Sequence, residues 1–122
     1  MAKVLCVDDS RDFITLIEAM IDALGHSPVT ALSGKEALDL LDREKPDLIC
    51  ADMDMPQMSG EEMISRIRAD PLLGDIPIIA ITAVPKDRQY FIERGCDAYL
   101  SKPITLPDLS AMLDQMLSQQ HV

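Results

Sequence analysis

The sequence predicts an α/β fold in which five parallel strands alternate with five helices. Short apolar runs of strand length alternate along the chain with segments whose apolar residues recur every three or four positions. The strand-like runs are almost continuously apolar, as in parallel strands that helices cover on both faces. Because 122 residues are too few for an eight-stranded barrel, an open, doubly wound sheet in one domain is the remaining choice.

The first half of the chain predicts two strand–helix units. Lys3–Val7 is the first strand, and the helix after it ends at Gly25, which is suited to a helix C-terminus. Pro28–Leu32 is the second strand, and a capping box at Ser33–Glu36 begins a helix that ends before Pro46. The apolar positions of the first helix are Phe13, Leu16, Ile17, Met20, Ile21 and Leu24.

The second half predicts three more strands and three helices. Asp47–Ala51 is the third strand, and the capping box Ser59–Glu62 begins the third helix. Ile76–Ile81 is the fourth strand, and Pro85 suits the first turn of a helix running to Arg94. Ala98–Leu100 is then the fifth strand, and Thr105–Asp108 caps the last helix, with Leu109, Met112, Leu113 and Met116 facing inward.

Composition excludes several classes of function. The formal net charge of −10 argues against direct binding of DNA or RNA, which requires a basic patch. No apolar run approaches the roughly 20 residues of a membrane span, and the N-terminus lacks a signal-peptide layout. We therefore expect a cytoplasmic protein that does not contact membranes. Cys6, Cys50 and Cys96 are scattered, which favours reduced packing residues over a disulfide framework.

Polar residues follow four of the predicted strands. In open α/β sheets, ligands bind outside the carboxyl ends of the strands, so these residues are the candidates for a site. They are Asp8, Asp9 and Ser10 after the first strand, Asp52 and Asp54 after the third, Thr82 after the fourth and Lys102 after the fifth.

These side chains suit phosphoryl chemistry. Two carboxylates ~4 Å apart repel by about 4 kcal/mol at an effective dielectric near 20, so converging acids require a cation. Oxygen ligands favour Mg²⁺, with Mn²⁺ as a substitute. Lys102 supplies a point charge for phosphoryl oxygens and Thr82 a hydroxyl donor. Asp52 can act as the nucleophile that forms an aspartyl phosphate.

The pattern of motifs resembles a known family over nearly the whole chain. The matching pieces are Val7–Ser10, Pro46–Pro56 with Met58 and Gly60, Ile81–Ala83, and Gly95–Pro103. In this order and at these strand ends, the chain resembles the receiver domain of two-component response regulators. The resemblance implies a flavodoxin-like (βα)5 fold with strand order 2-1-3-4-5. It also implies that residues 1–122 form one receiver domain without an output domain.

The resemblance implies a role for each site residue. Asp52 would accept a phosphoryl group from a sensor histidine kinase or a histidine phosphotransfer protein. Asp9 would bind Mg²⁺ directly, Asp8 through water, and Asp54 through its backbone carbonyl. Thr82 and Lys102 would then hold the phosphoryl oxygens.

The resemblance also implies how the protein signals. Tyr99 would change its burial when Thr82 moves, and the surface of the fourth helix, fifth strand and fifth helix would change its affinity for a downstream protein target. The bond between Lys102 and Pro103 is a candidate cis peptide. Such a domain phosphorylates and dephosphorylates itself, so we expect no turnover enzyme.

Asp54 departs from the family, which often has an uncharged residue at this position. It is either a solvated loop acid or a carboxylate that changes autodephosphorylation, and apolar Val84 could limit the access of water.

The sequence has three alternative functional interpretations. A flavodoxin is disfavoured because the loop at Asp8–Asp12 is acidic where a flavin phosphate would bind. Asp52-Met-Asp54 has the Asp-x-Asp pattern of haloacid dehalogenase-type phosphohydrolases, although that family places it after its first strand. A receiver-like protein that only binds proteins is the remaining alternative.

Overall fold

The structure, a computed structural model that describes residues 1–118, has five strands and five helices in strict alternation. The strands are parallel and lie in the order β2-β1-β3-β4-β5, which confirms the predicted fold. The sequence also predicts a short tail after the last helix, and residues 119–122 of that tail lie outside the described residues. The elements are β1 (Lys3–Val7), α1 (Arg11–Ala23), β2 (Ser27–Ala31), α2 (Gly34–Glu44), β3 (Leu48–Ala51), α3 (Gly60–Ala69), β4 (Ile78–Thr82), α4 (Arg88–Glu93), β5 (Ala98–Ser101) and α5 (Leu106–Ser118).

The sheet separates two apolar cores. Helices α2, α3 and α4 pack on one face and α1 and α5 on the other, as the continuous apolar strands predict. Successive strand residues point to opposite faces, so Leu5 lies in the first core and Val4 in the second. Because all the strands are parallel, the carboxyl ends of β1, β3, β4 and β5 lie along one edge of the sheet, between the two layers of helices.

Two sequence predictions about the elements are wrong in detail, and one apolar residue of α1 is more exposed than its spacing suggests. Helix α4 does not begin at Pro85; it begins at Arg88, because the side chain of Asp87 caps it by accepting a hydrogen bond from the Tyr90 backbone N–H (3.0 Å). Strand β4 begins at Ile78 and not at Ile76, because the Ile76 N–H donates to the carbonyl of Leu73 in the preceding turn instead of to the sheet. The strand ends at Thr82, one residue later than predicted. Leu16 is 47% exposed, although its spacing resembles that of the core positions of α1.

Arg68, at the end of α3, forms a hydrogen-bond hub that the sequence did not reveal. Its guanidinium donates to the carbonyls of Gly74 (2.8 Å), Ile76 (2.7 Å) and Gly95 (2.7 and 2.9 Å). It also pairs with Asp97 (2.8 Å), whose carboxylate accepts a further bond from a β4 N–H. The hub ties α3 to the loops that lead into β4 and β5.

The three cysteines are free and buried, in agreement with the prediction. Cys6 and Cys50 are register partners on β1 and β3, and the hydrogen bond between their thiols, together with burial, raises the pKa of Cys50. Burial raises the pKa of the Cys96 thiol to about 11. None of the helices within residues 1–118 is long and apolar enough to cross a membrane.

Candidate functional site

Three polar side chains are buried at the carboxyl ends of the central strands. Asp8 follows β1, Asp52 follows β3 and Thr82 ends β4, with exposed fractions of 1%, 6% and 0%. The backbone N–H groups of the two aspartates continue the hydrogen bonding of the sheet, Asp8 to Ala31 (3.1 Å) and Asp52 to Val7 (2.9 Å). Each acid is therefore held at a fixed place by the sheet itself.

Asp8, Asp9 and Asp52 form an acidic cluster. Each contributes a carboxylate oxygen, and these three oxygens lie within 4.8 Å of one another. Asp8 and Asp52 are buried, whereas Asp9 is exposed. A donor set made only of oxygen atoms, open to water on one side, fits a small hard cation that keeps part of its hydration. The residues present therefore fit Mg²⁺.

Lys102 lies beside the acids and offsets part of their charge. Its ammonium nitrogen is 2.6 Å from Asp8 Oδ2 and 3.7 Å from Asp52 Oδ2. Its backbone N–H donates to the carbonyl of Thr82 (3.0 Å), which fixes the loop after β5 against the end of β4. The peptide bond from Lys102 to Pro103 is cis, as the resemblance predicted.

The environment of Asp52 disfavours its charged form. Burial is the largest cause and raises the pKa of this carboxyl group above its ordinary value, and the charge of Asp8 adds to the effect. The Asp54 N–H, which donates to Asp52 Oδ1 (3.2 Å), counteracts this increase, as do Lys102 and the Thr82 hydroxyl. The folded protein therefore holds a carboxylate at a free-energy cost that a bound cation would offset.

A cleft of about 220 Å³ opens beside Asp52. The side chain of Asp54 is exposed, so the structure places it at the rim of the cleft. The hydroxyl of Thr82 accepts a hydrogen bond from the Val84 N–H (3.2 Å). The residues that line the cleft are Asp52, Asp54, Thr82, Ala83, Val84, Pro85 and Lys102.

Tyr99 lies outside the cleft. It is partly buried in β5, and its ring stacks on the ring of Phe91 from α4, with centroids 4.4 Å apart and an interplanar angle of 17°. The other residues expected at the site are brought together at one edge of the sheet, whereas Tyr99 connects β5 to α4.

Sequence reasoning missed two features of the site. A Cβ atom on Gly60 would lie 2.2 Å from the carbonyl oxygen of Asp52 and 2.7 Å from Met53 Cα, so α3 begins in direct backbone contact with the Asp52 loop. The ring of Phe13 lies under Lys102, with its centroid 4.2 Å from the ammonium nitrogen. The spacing of Phe13 along α1 is typical of a core residue, so the sequence carried no signal for this contact.

Comparisons with known proteins agree with this geometry. Residues 4–114 match the family model of the response regulator receiver domain. The polar-differentiation response regulator DivK of Brucella ovis is 39% identical over 107 residues, which cover 86% of this chain and 87% of that protein.

Two solved structures extend the comparison. The chemotaxis response regulator CheY4 of Vibrio cholerae is 30% identical, with a TM-score of 0.87 over 95% of this chain and 98% of that one. The receiver domain of the sensor histidine kinase PA1611 of Pseudomonas aeruginosa, solved with a magnesium ion coordinated in its active-site cleft, is also 30% identical, with a TM-score of 0.87 over 96% and 98% of the two chains. Since sequence and structure match over most of its length, the chain belongs to the receiver domains of two-component response regulators, which signal by phosphorylation.

Proposed function

We propose that this protein is a switch that accepts a phosphoryl group on Asp52 from a histidine kinase or a histidine phosphotransfer protein. The observation that carries the proposal is the convergence of three carboxylate oxygens within 4.8 Å, beside an ammonium group and an open cleft. Such a set binds a cation and a phosphoryl group together, since each offsets the charge of the other.

The pattern of hydrogen bonds supports Asp52 as the nucleophile. Both oxygens of Asp8 are engaged, Oδ1 by the Ser10 N–H (2.9 Å) and Oδ2 by Lys102 (2.6 Å). Asp52 Oδ1 accepts from the Asp54 N–H, whereas Oδ2 lies 3.7 Å from the ammonium nitrogen, beyond hydrogen-bond distance. Asp52 also lines the cleft, through which a donor reaches it. An oxygen of Asp52 forms the new bond to phosphorus as the P–N bond of the phosphohistidine breaks and the imidazole leaves.

The remaining site residues bind the cation and the phosphoryl oxygens. Asp8, Asp9 and Asp52, with the backbone carbonyl of Asp54, would hold Mg²⁺, or Mn²⁺ in its place. Bound Mg²⁺ supplies positive charge that neutralises the acids and the phosphoryl oxygens. Lys102 and Thr82 are the protein's own donors to the same oxygens.

The output of the switch is a change of surface. Thr82 moves toward the phosphoryl group, Tyr99 follows inward, and the surface of α4, β5 and α5 changes its affinity for a downstream protein. The stack of Tyr99 on Phe91 supports this proposal because it couples β5 to α4. We expect the direct target to be a protein in the cytoplasm. A net charge of −10 disfavours contact with nucleic acids and with anionic membrane surfaces. The protein also loses its phosphoryl group by autodephosphorylation, without turnover of an external substrate.

Phosphorylation with acetyl phosphate and Mg²⁺ tests the proposal. We expect the intact protein to gain the mass of one phosphoryl group in an acid-labile form, and Asp52→Asn to gain none. Equal uptake by Asp52→Asn would refute the role of Asp52. Steady hydrolysis of p-nitrophenyl phosphate would instead indicate a phosphohydrolase. Phosphotransfer from purified histidine kinases then tests the class of donor.

A further inference from the structure

Four residues form a closed set of contacts next to the cleft. Asp8 Oδ1 accepts from the Ser10 N–H (2.9 Å), and the Ser10 hydroxyl accepts from the Phe13 N–H (3.2 Å) as the cap of α1. Lys102 closes the set, because its ammonium nitrogen donates to Asp8 Oδ2 (2.6 Å) and lies 4.2 Å from the centroid of the Phe13 ring. The first turn of α1 is thereby fixed with an aromatic ring under the ammonium group.

The position of Phe13 differs from that of an ordinary core residue. It is only partly buried, whereas Ile14 and Ile17 of the same helix are buried in the second core. Its ring lines a narrow crevice together with Asp8 and Asp52. The ring therefore lies between the apolar core and the charged site and contacts both.

The ring and the carboxylates hold the ammonium group in different ways. Asp8 attracts Lys102 through the negative charge of its carboxylate. A cation bound by the acidic cluster would compete with Lys102 for that charge. The attraction between an ammonium group and the face of an aromatic ring within about 6 Å does not depend on the acids. An ammonium group that is partly screened from water gains most from such a contact, and Lys102 is only 21% exposed.

We propose that Phe13 is a positioning residue, which holds the Lys102 ammonium group at the cleft through the face of its ring. This inference deepens the proposed function and rests on it for its kinetic consequence. Without the ring, the ammonium group would follow Asp8 or move into solvent once the acids bind a cation, and the phosphoryl oxygens would lose a donor.

Three replacements of Phe13 separate ring charge from ring shape. Phe13→Leu removes the aromatic face, Phe13→Tyr keeps it, and pentafluorophenylalanine at position 13 keeps the shape while reversing the charge distribution of the ring. Met20→Leu is the matched control, since it alters a partly buried residue of α1 that packs in the second core. Thermal unfolding identifies any variant that does not fold.

Two measurements are made on each variant. The first is the position of the Lys102 side-chain methylene signals in proton–carbon spectra, with Lys102→Arg for assignment, because the ring shifts these signals upfield. The second is the rate constant of phosphorylation by acetyl phosphate with Mg²⁺. We expect the leucine variant to lose the upfield position of the Lys102 signals and to be phosphorylated about three- to tenfold more slowly. We expect the pentafluorophenylalanine variant to show at least one of these two effects. Phe13→Tyr and Met20→Leu should retain both properties.

Each outcome decides one statement. Lys102 signals that do not differ between the wild type and Phe13→Leu would show that the ring does not hold the ammonium group. Shifted signals with unchanged phosphorylation in both the leucine and pentafluorophenylalanine variants would refute the positioning role. If the wild-type protein takes up no phosphoryl group, the proposed function fails, while the signals of Lys102 still decide whether Phe13 holds it.

Discussion

Lys102 is paired more closely with Asp8 than with Asp52, the proposed phosphoacceptor: its ammonium nitrogen lies 2.6 Å from Asp8 Oδ2 and 3.7 Å from Asp52 Oδ2. Asp8 is almost fully buried, so the ammonium group of Lys102 compensates a charge that is largely removed from water. The contact also joins two residues that are 94 positions apart in the chain. It therefore links the first strand to the loop after the last one.

Replacing Lys102 should destabilise the metal-free protein. We expect Lys102→Met to lower the free energy of unfolding by about 2–4 kcal/mol, because it leaves Asp8 buried without its partner. Mg²⁺ should restore more stability to this variant than it adds to the wild type. Chemical denaturation with and without Mg²⁺ measures both effects.

Lys3→Met is the control for this prediction. The ammonium group of Lys3 pairs with Glu44 at 3.4 Å on the surface, and the loss of this pair should lower the free energy of unfolding by less than about 1 kcal/mol. Similar losses in the two variants would contradict the prediction.

Asp52→Asn should stabilise the metal-free protein at neutral pH. Burial raises the pKa of Asp52 in the folded state, so its ionisation disfavours folding, and this penalty develops as pH rises through the folded pKa. Removing the charge should therefore add about 1 kcal/mol at pH 7. The gain should vanish near pH 3, below the ordinary aspartate pKa, where both states of the wild type are protonated. Denaturant unfolding across this range checks the sign, with exposed Asp114→Asn as the control. A gain that persists at pH 3 would exclude this cause.

Gly60→Ala should disturb both stability and phosphorylation. Its Cβ would lie 2.2 Å from the Asp52 carbonyl oxygen, so either α3 or the Asp52 loop must shift. We expect a loss of about 1–3 kcal/mol in stability and slower phosphorylation of Asp52 by acetyl phosphate.

Gly25→Ala is the control for the Gly60 substitution. Gly25 has a φ of +85° and open space around it, so alanine there is strained in its backbone but far from the cleft. This variant should lose about 1 kcal/mol and phosphorylate at the wild-type rate. Equal rates in the two alanine variants would show that the contact between Gly60 and Asp52 has no functional role.

Arg68→Lys should be strongly destabilising although it keeps the charge. A lysine ammonium group cannot reproduce the fork of a guanidinium that reaches Gly74, Ile76, Gly95 and Asp97. We expect a loss of about 2–3 kcal/mol, because several carbonyl groups lose their donor. Arg66→Lys, in an exposed pair with Glu62, should change stability by less than about 0.5 kcal/mol. Urea unfolding of the two variants compares them, and equal stabilities would contradict the role of the hub.

Asp54→Asn should lengthen the lifetime of the phosphoryl group. Its exposed carboxylate lies at the rim of the cleft, where it can accept a hydrogen bond from attacking water and repels an anionic donor. In a largely aqueous setting, removing a single nearby charge should change the rate by about threefold. Decay of the phosphorylated mass after removal of the donor measures the lifetime, with Asp114→Asn as the control. An unchanged lifetime would identify Asp54 as a solvated loop acid.

The amino-acid sequence by itself determined the order of elements and the residues at the strand ends. Apolar periodicity predicted most of the helices and strands, because burial on a sheet or along one side of a helix is a local property of the pattern. Helix α4 was predicted from Pro85 instead. Asp8, Asp52, Thr82 and Lys102 could be predicted to converge since the carboxyl ends of parallel strands share one edge. The start of α4 was misplaced because Pro85 and Asp87 are both suited to a helix N-terminus, and only the capping bond of Asp87 decides between them.

Only the tertiary structure decided which distant groups touch. The ring of Phe13 under Lys102, the backbone of Gly60 against Asp52 and the guanidinium of Arg68 on Gly95 join separate elements. Apolar spacing marks a phenylalanine as buried, but it does not show that a cation lies on its face. Such contacts depend on how helices and loops pack across the sheet, a relation between residues far apart in the chain that no local pattern encodes.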